Sequence, residues 1–166
     1  RERHYREHDV YFFVDAPAQG RLRYREYDLI EDSKGTVMSV RTRLTLLGVK
    51  REGKFEDQVL LSRSRYIAPA SQSLRFYREY FKPKSEIVIE KDRLRWLILY
   101  KDTEFFVNLD QMKEPQLGHY LEIKSRTWSR KDAELKAQLT SELLSVLGAA
   151  SGERVTEDYI DIVGEV

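Results

Sequence analysis

The chain reads as a mainly β domain of the α+β class, built on an antiparallel sheet, and three observations carry that reading. Charged residues recur at every second position in five segments: Arg21, Arg23 and Arg25; Arg41 and Arg43; Arg63 and Arg65; Lys91, Arg93 and Arg95; Glu122, Lys124 and Arg126. A period of two is the strand period, so each set shares one face and the apolar residues between its members share the other. Gly, Pro and Asp turn chemistry bounds these segments and reads as hairpins. Only two stretches show helical spacing.

Taken in order, DVYFFV (9–14) and RLRYREYDLI flank the Pro- and Gly-bearing DAPAQG and form a first hairpin. TVMSVRTRLTLLGVK is rich in β-branched residues, REGKFED supplies turn chemistry, and QVLLSRSRYIAP ends at Pro69, so 36–69 reads as a second hairpin. From Ala70 to Phe81 the period changes: Leu74, Tyr77, Arg78 and Phe81 sit at helical spacing, and Pro83 stops the segment. SEIVIEKDRLRWLILY and EFFVNLD then give two strands around KDTE, and LGHYLEIKSRTW gives another after the Pro115–Gly118 break, for about seven strands in all. Ser129 or Thr127 caps a helix through DAELKAQLTSELLSVLG, where Leu135, Leu139, Leu143 or Leu144, and Leu147 make an apolar stripe and Gly148 is the stop. The tail VTEDYIDIVGEV alternates weakly and reads as a last strand or an ordered arm.

Composition narrows the function. A length of 166 residues suits one domain spanning 1–166, large enough to enclose a core without a disulfide or structural metal. With no cysteine, thiolate chemistry is excluded. Lys and Arg total 29 against 28 Asp and Glu, so an anion site must come from local segregation of charge. No apolar run suits a membrane span or a signal segment, which sets a cytoplasmic protein without a membrane partner as the expectation. The chain opens on Arg1, which suggests a piece of a longer polypeptide. No Walker A, HExxH, GxSxG or GxGxxG pattern occurs, and His4, His8 and His119 are scattered, so no catalytic residue is identified.

The segregated charge is the feature with chemical content. Cations on neighbouring strands about 5 Å apart repel by about 3 kcal/mol per pair at an effective dielectric of about 20, so clustering them needs carboxylates or a bound anion. If the strands close into a barrel, Leu22, Tyr24, Leu44, Leu46, Leu94, Trp96, Leu121 and Ile123 pack against the helices. The charged face then lines a basic tunnel. Arginine matches phosphate oxygens with a planar fork and lysine with a point charge, while Glu122, and more weakly Asp110, offer oxygen ligands to Mg²⁺ or Mn²⁺. Together they describe a metal-triphosphate site suited to metal-assisted phosphoryl transfer.

The order DVYFFV, GRLRYRE, RLTLLG, IVIEKDRLRW, VNLD, LGHYLEIK and LLSVLG resembles the CYTH superfamily, the triphosphate tunnel metalloenzymes, over nearly the whole chain. The resemblance implies an eight-stranded antiparallel closed barrel with flanking helices, whose lumen binds a metal-triphosphate in class IV adenylate cyclases and thiamine, RNA or inorganic triphosphatases. It implies phosphate contacts from Arg23, Arg25, Arg63 or Arg65, and Lys91, Arg93 or Arg95, with Glu122 on the metal. Arg41, Arg43 and Lys124 complete the candidate phosphate-binding set by sharing the charged habit. The family's first strand, ExExK, is absent from this chain and is expected upstream of residue 1, where a fused P-loop kinase or other domain is also compatible. Lys124 stands at the family's second acidic position and Leu47 at a usual lysine, changes that weaken metal binding and catalysis.

The expected function is therefore binding of a triphosphate or polyphosphate and its hydrolysis with Mg²⁺ or Mn²⁺. One alternative is a non-catalytic polyphosphate- or nucleotide-binding regulatory module on the same fold. The other is a nucleic-acid-binding β-domain, which is weaker: net charge is near neutral, and Tyr24, Tyr66 and Trp96 fall opposite the arginines of their strands.

Overall fold

The computed structural model describes residues 2–14, 20–31, 33–48 and 64–164. Seven strands form one antiparallel sheet: β1 (Glu2–Phe13), β2 (Gly20–Glu31), β3 (Thr36–Gly48), β4 (Ser64–Pro69), β5 (Ser85–Tyr100), β6 (Thr103–Glu114) and β7 (Gly118–Lys124). Their spatial order is β4-β3-β2-β1-β5-β6-β7. Among the described residues three helices accompany it: α1 (Leu74–Phe81), α2 (Arg130–Val146) and α3 (Tyr159–Gly164).

The expected closed eight-stranded barrel is not what the strands form. Among the described residues the sheet is open, with β4 and β7 as its edges. It is nevertheless strongly curled. β3 and β7 are five steps apart, about 24 Å in a flat sheet, yet their side chains line one common cavity. Strand twist accumulated over long strands such as β5, which runs 16 residues, gives such a sheet a concave face without closure.

Alternation sorts the side chains as expected. On the convex face, Val10, Phe12, Tyr24, Leu22 and Leu44 pack with Leu74, Tyr77 and Phe81 of α1. Ser73 caps α1 through its side chain, and Lys82 ends it in the left-handed region at φ 46°. Further along the same face, Trp96, Ile98, Phe105, Val107 and Ile123 pack with Leu139 and Leu143 of α2. The β5–β6 turn falls at Lys101 and Asp102, both at positive φ, the conformation of a two-residue hairpin loop.

Two helical expectations are corrected. Ser129 caps α2 as anticipated, but the buried side of the helix is Ala133, Ala137, Leu139 and Leu143, while Leu135 and Leu147 are exposed. The contact side thus includes two alanines, so the leucine stripe misreads its phase. The tail is a short helix rather than a strand: Tyr159, Ile160 and Val163 have helical spacing and pack on the concave side with Tyr11, Ile89 and Met112. No helix among the described residues is long and apolar enough to cross a membrane.

Phe105 is fully buried beneath α2, whereas Leu99 on the neighbouring strand is 69% exposed. Phe105→Ala should lower unfolding stability by about 3–5 kcal/mol, and Leu99→Ala should leave it within about 0.5 kcal/mol, both read by chemical denaturation.

Candidate functional site

The concave face is built from side chains two apart on each strand, aligned by the pairing register. Asp9 lies opposite Arg25 on β2, which lies opposite Arg43 on β3. One row on, Arg41, Tyr27, Glu7, Lys91 and Met112 cross five strands. Beyond them stand Tyr5, Arg93, Asp110 and Tyr120, then Arg3, Arg95, Asn108 and Glu122, then Leu97, Phe106 and Lys124. Arg23, Arg25, Arg41, Arg43, Lys91, Arg93, Arg95, Glu122 and Lys124 therefore share this face. Arg63 and the side chain of Arg65 lie outside the described residues.

The face divides into two electrostatic zones. In the inner zone each cation meets carboxylates. Arg25 donates a fork to Asp9 at 2.5 and 2.6 Å, and Arg93 donates a fork to Asp110 at 2.6 and 2.5 Å and a further bond to Glu122 at 3.1 Å. Lys91 lies 3.2 Å from Glu7 and 3.3 Å from Asp9. Lys91 and Arg93 are only 1% and 2% exposed. Burying such charges is tolerable only with close partners, and the forks satisfy donors and lone pairs together.

The protonation states follow from the same competition. Burial raises the Glu7 carboxyl, but Arg25, Arg93 and Lys91 outweigh it and hold the group at about 2. Burial also raises Asp9 and Glu122; Arg25 and Lys91 pull Asp9 well below the carboxylate range, as Lys124 and Arg93 do Glu122. Tyr159 of α3 covers this zone: its hydroxyl donates to Asp110 at 2.6 Å, and its ring lies 5.0 Å from Lys91 Nζ. Burial and Asp110 raise the phenol, keeping it a neutral donor. Arg21, at the far end, pairs with Asp161 of α3.

The outer zone is a cup of about 500 Å³. Arg41 and Arg43 form one wall, Lys124 and Arg126 the other, and Arg3, Arg25 and Arg95 complete the cationic lining, against one carboxylate, Glu7. Among the described residues, Arg3, Arg41, Arg43, Arg95 and Arg126 have no carboxylate partner. Arg95 instead donates to Asn108 at 2.9 Å, and Asn108 donates to Glu122 at 2.9 Å. Burial and neighbouring Arg93 lower the Arg95 guanidinium, as expected of a cation without a counterion. Cations concentrated in this way repel one another and give the cup a positive field.

The candidate residues thus separate by role. Arg41, Arg43, Arg95 and Lys124 line the cup, Arg25 touches both zones, and Lys91 and Arg93 sit in the paired lattice. Arg23 lies away from the cup over the ring of Tyr11, to which it donates at 3.5 Å. Glu122 accepts from Arg93 and Asn108 on Oε1 and pairs through Oε2 with Lys124 at 2.9 Å, so both its oxygens are engaged. Asp110 is likewise saturated by Arg93 and Tyr159. As arranged, neither expected metal ligand fits a resident Mg²⁺ or Mn²⁺, and no cluster of three or more His, Asp or Glu among the described residues converges for one. Sequence reasoning missed Glu7, Asp9, Asn108, Arg3 and Tyr159. Glu7 and Asp9 were detectable, since they repeat the alternating habit in acidic form.

No family model matches the chain, and no curated protein matches it. Among solved structures, the PH1819 protein of Pyrococcus horikoshii OT3 superposes with a TM-score of 0.66 at 17% identity, covering 98% of this chain and 85% of that one. At that identity the likeness shows a shared fold.

Glu7 sets an acid limit on stability. Its carboxyl is held at about 2 in the fold against an ordinary 4.5, so the unfolded chain takes up its proton first as pH falls. Its contribution should be complete above about pH 4.5 and lost progressively toward pH 2, with Asp9 and Glu122 acting in the same direction. Denaturation midpoints measured across that range should fall with pH, and a flat profile would contradict the pairing.

Proposed function

We propose that the protein binds a triphosphate or other polyphosphate in the outer cup. The observation that carries this reading is the set of five guanidinium groups that have no carboxylate partner among the described residues, around one cavity of about 500 Å³. Phosphate oxygens suit those donors, and a chain of several phosphates matches cations on two facing walls better than one compact anion does. The resemblance to triphosphate tunnel proteins points to the same ligand class, with an open-sided cup in place of a closed tunnel.

Hydrolysis is the stronger form of the proposal. Mg²⁺ or Mn²⁺ would then enter with the polyphosphate as part of its complex, since Glu122 and Asp110 are already engaged. Glu7, the one carboxylate of the cup lining among the described residues, has three cations within 3.4 Å of its Oε2 and belongs to the paired lattice, so the metal would be held by the phosphates. The regulatory reading keeps the binding and omits turnover. A nucleic-acid reading is disfavoured because the aromatic rings lining the cup, Tyr5, Tyr27 and Phe106, are covered by Arg43 and Arg95.

Titration calorimetry with sodium tripolyphosphate should show binding that weakens as salt rises. The double variant Arg41→Ala, Arg43→Ala should lose about tenfold or more in affinity with an unchanged melting temperature. Phosphate or pyrophosphate release in the presence of Mg²⁺ or Mn²⁺ would establish hydrolysis, and binding without release would establish the regulatory module. No binding to the intact wild type would refute both.

A further inference from the structure

Five of the cup's seven cations have no carboxylate partner among the described residues, so something else must hold them apart and aimed. Arg95 lies with its guanidinium carbon 5.3 Å from the centre of the Tyr5 ring and 5.5 Å from that of Phe106. Arg43 lies 5.3 Å from the centre of the Tyr27 ring. Tyr5 and Tyr27 brace each other edge to face at 6.0 Å, and Tyr5 also accepts from Arg3 at 3.3 Å. Two of the cup's unpaired arginines are therefore seated on aromatic rings, whereas Arg25 and Arg93 are seated on carboxylate forks.

We infer that Tyr5, Tyr27 and Phe106 are positioning residues that hold Arg43 and Arg95 ready for the anion. This rests on the polyphosphate reading of the cup. A ring engages a guanidinium through its flat face and leaves the in-plane N–H donors for a ligand. A carboxylate engages those same donors, so an anion reaching Arg25 or Arg93 has to break a charged fork, while one reaching Arg43 or Arg95 displaces no counterion. At half-buried Arg95 the two rings also shield the guanidinium from water, which strengthens the bonds its free edge makes to phosphate. At positions 27 and 106 the strand sites are half-buried, and leucine fits them.

Tyr27→Leu and Phe106→Leu remove the rings from Arg43 and Arg95 in turn, whereas Tyr27→Phe and Phe106→Tyr keep them. Calorimetry with tripolyphosphate at fixed low salt is expected to show a loss of about fivefold for each leucine variant and wild-type affinity for each ring-retaining variant. Arg95→Lys keeps the charge without the planar face and should weaken binding similarly, which covers the case in which a leucine variant unfolds in a thermal melt. Wild-type affinity in the folded leucine variants, or equal losses in the leucine and ring-retaining variants, would overturn the positioning role while leaving the polyphosphate reading in place. Failure of the wild type to bind tripolyphosphate would instead overturn that reading.

Discussion

The fork between Arg93 and Asp110 is the interaction on which the concave face depends. Both side chains are almost wholly buried, at 2% and 0% exposure, on adjacent strands in direct register. Removing one partner of such a pair typically costs about 3–5 kcal/mol, because the other is left charged without water. Arg93 extends from the fork to Glu7 and Glu122, and Asp110 extends to Tyr159, so β1, β5, β6, β7 and α3 meet at one charge centre. The apolar clusters under α1 and α2 hold the sheet from outside, and this lattice holds it from inside.

That lattice gives the outer cup its meaning. Strands with alternating arginines present many cations on one face whether or not a ligand exists, so the number of cations alone is a poor guide to a site. What separates the groups is the partner each one has. Arg25, Lys91 and Arg93 are neutralised by Asp9, Glu7, Asp110 and Glu122, and they belong to the architecture. Arg41, Arg43 and Arg126 face the cavity and have no carboxylate partner among the described residues. An inward charge is structural when a carboxylate pairs it, and the ring-seated Arg43 and Arg95 keep their donors free of such a fork.

The sequence shows the shared face clearly and the pairing poorly. Period two placed Arg25 with Arg43 and Lys91 with Arg93 and Arg95 correctly, because one buried face fixes register wherever strands pair. The first strand begins seven residues earlier than its apolar run, at Glu2 rather than Asp9. From Glu2 to His8 both faces of β1 are polar, so hydrophobic alternation vanishes where Glu7 and the strand itself matter most. That the sheet stays open rather than closing into the expected barrel was not legible either, since closure depends on which edges meet and not on the alternation within any strand. In α3, tertiary burial of Ile160 decides the helix over weak local preference. The choice of fork or ring for each arginine depends on cross-strand neighbours that no local window contains.

A crystal structure with tripolyphosphate tests the division of the face most directly. The account expects the phosphate chain against Arg41, Arg43, Arg95 and Arg126, with the Arg25–Asp9 and Arg93–Asp110 forks intact beneath it. A chain lodged between Arg25 and Arg93 with both forks broken would contradict it, and would mean that the buried lattice is itself the binding site.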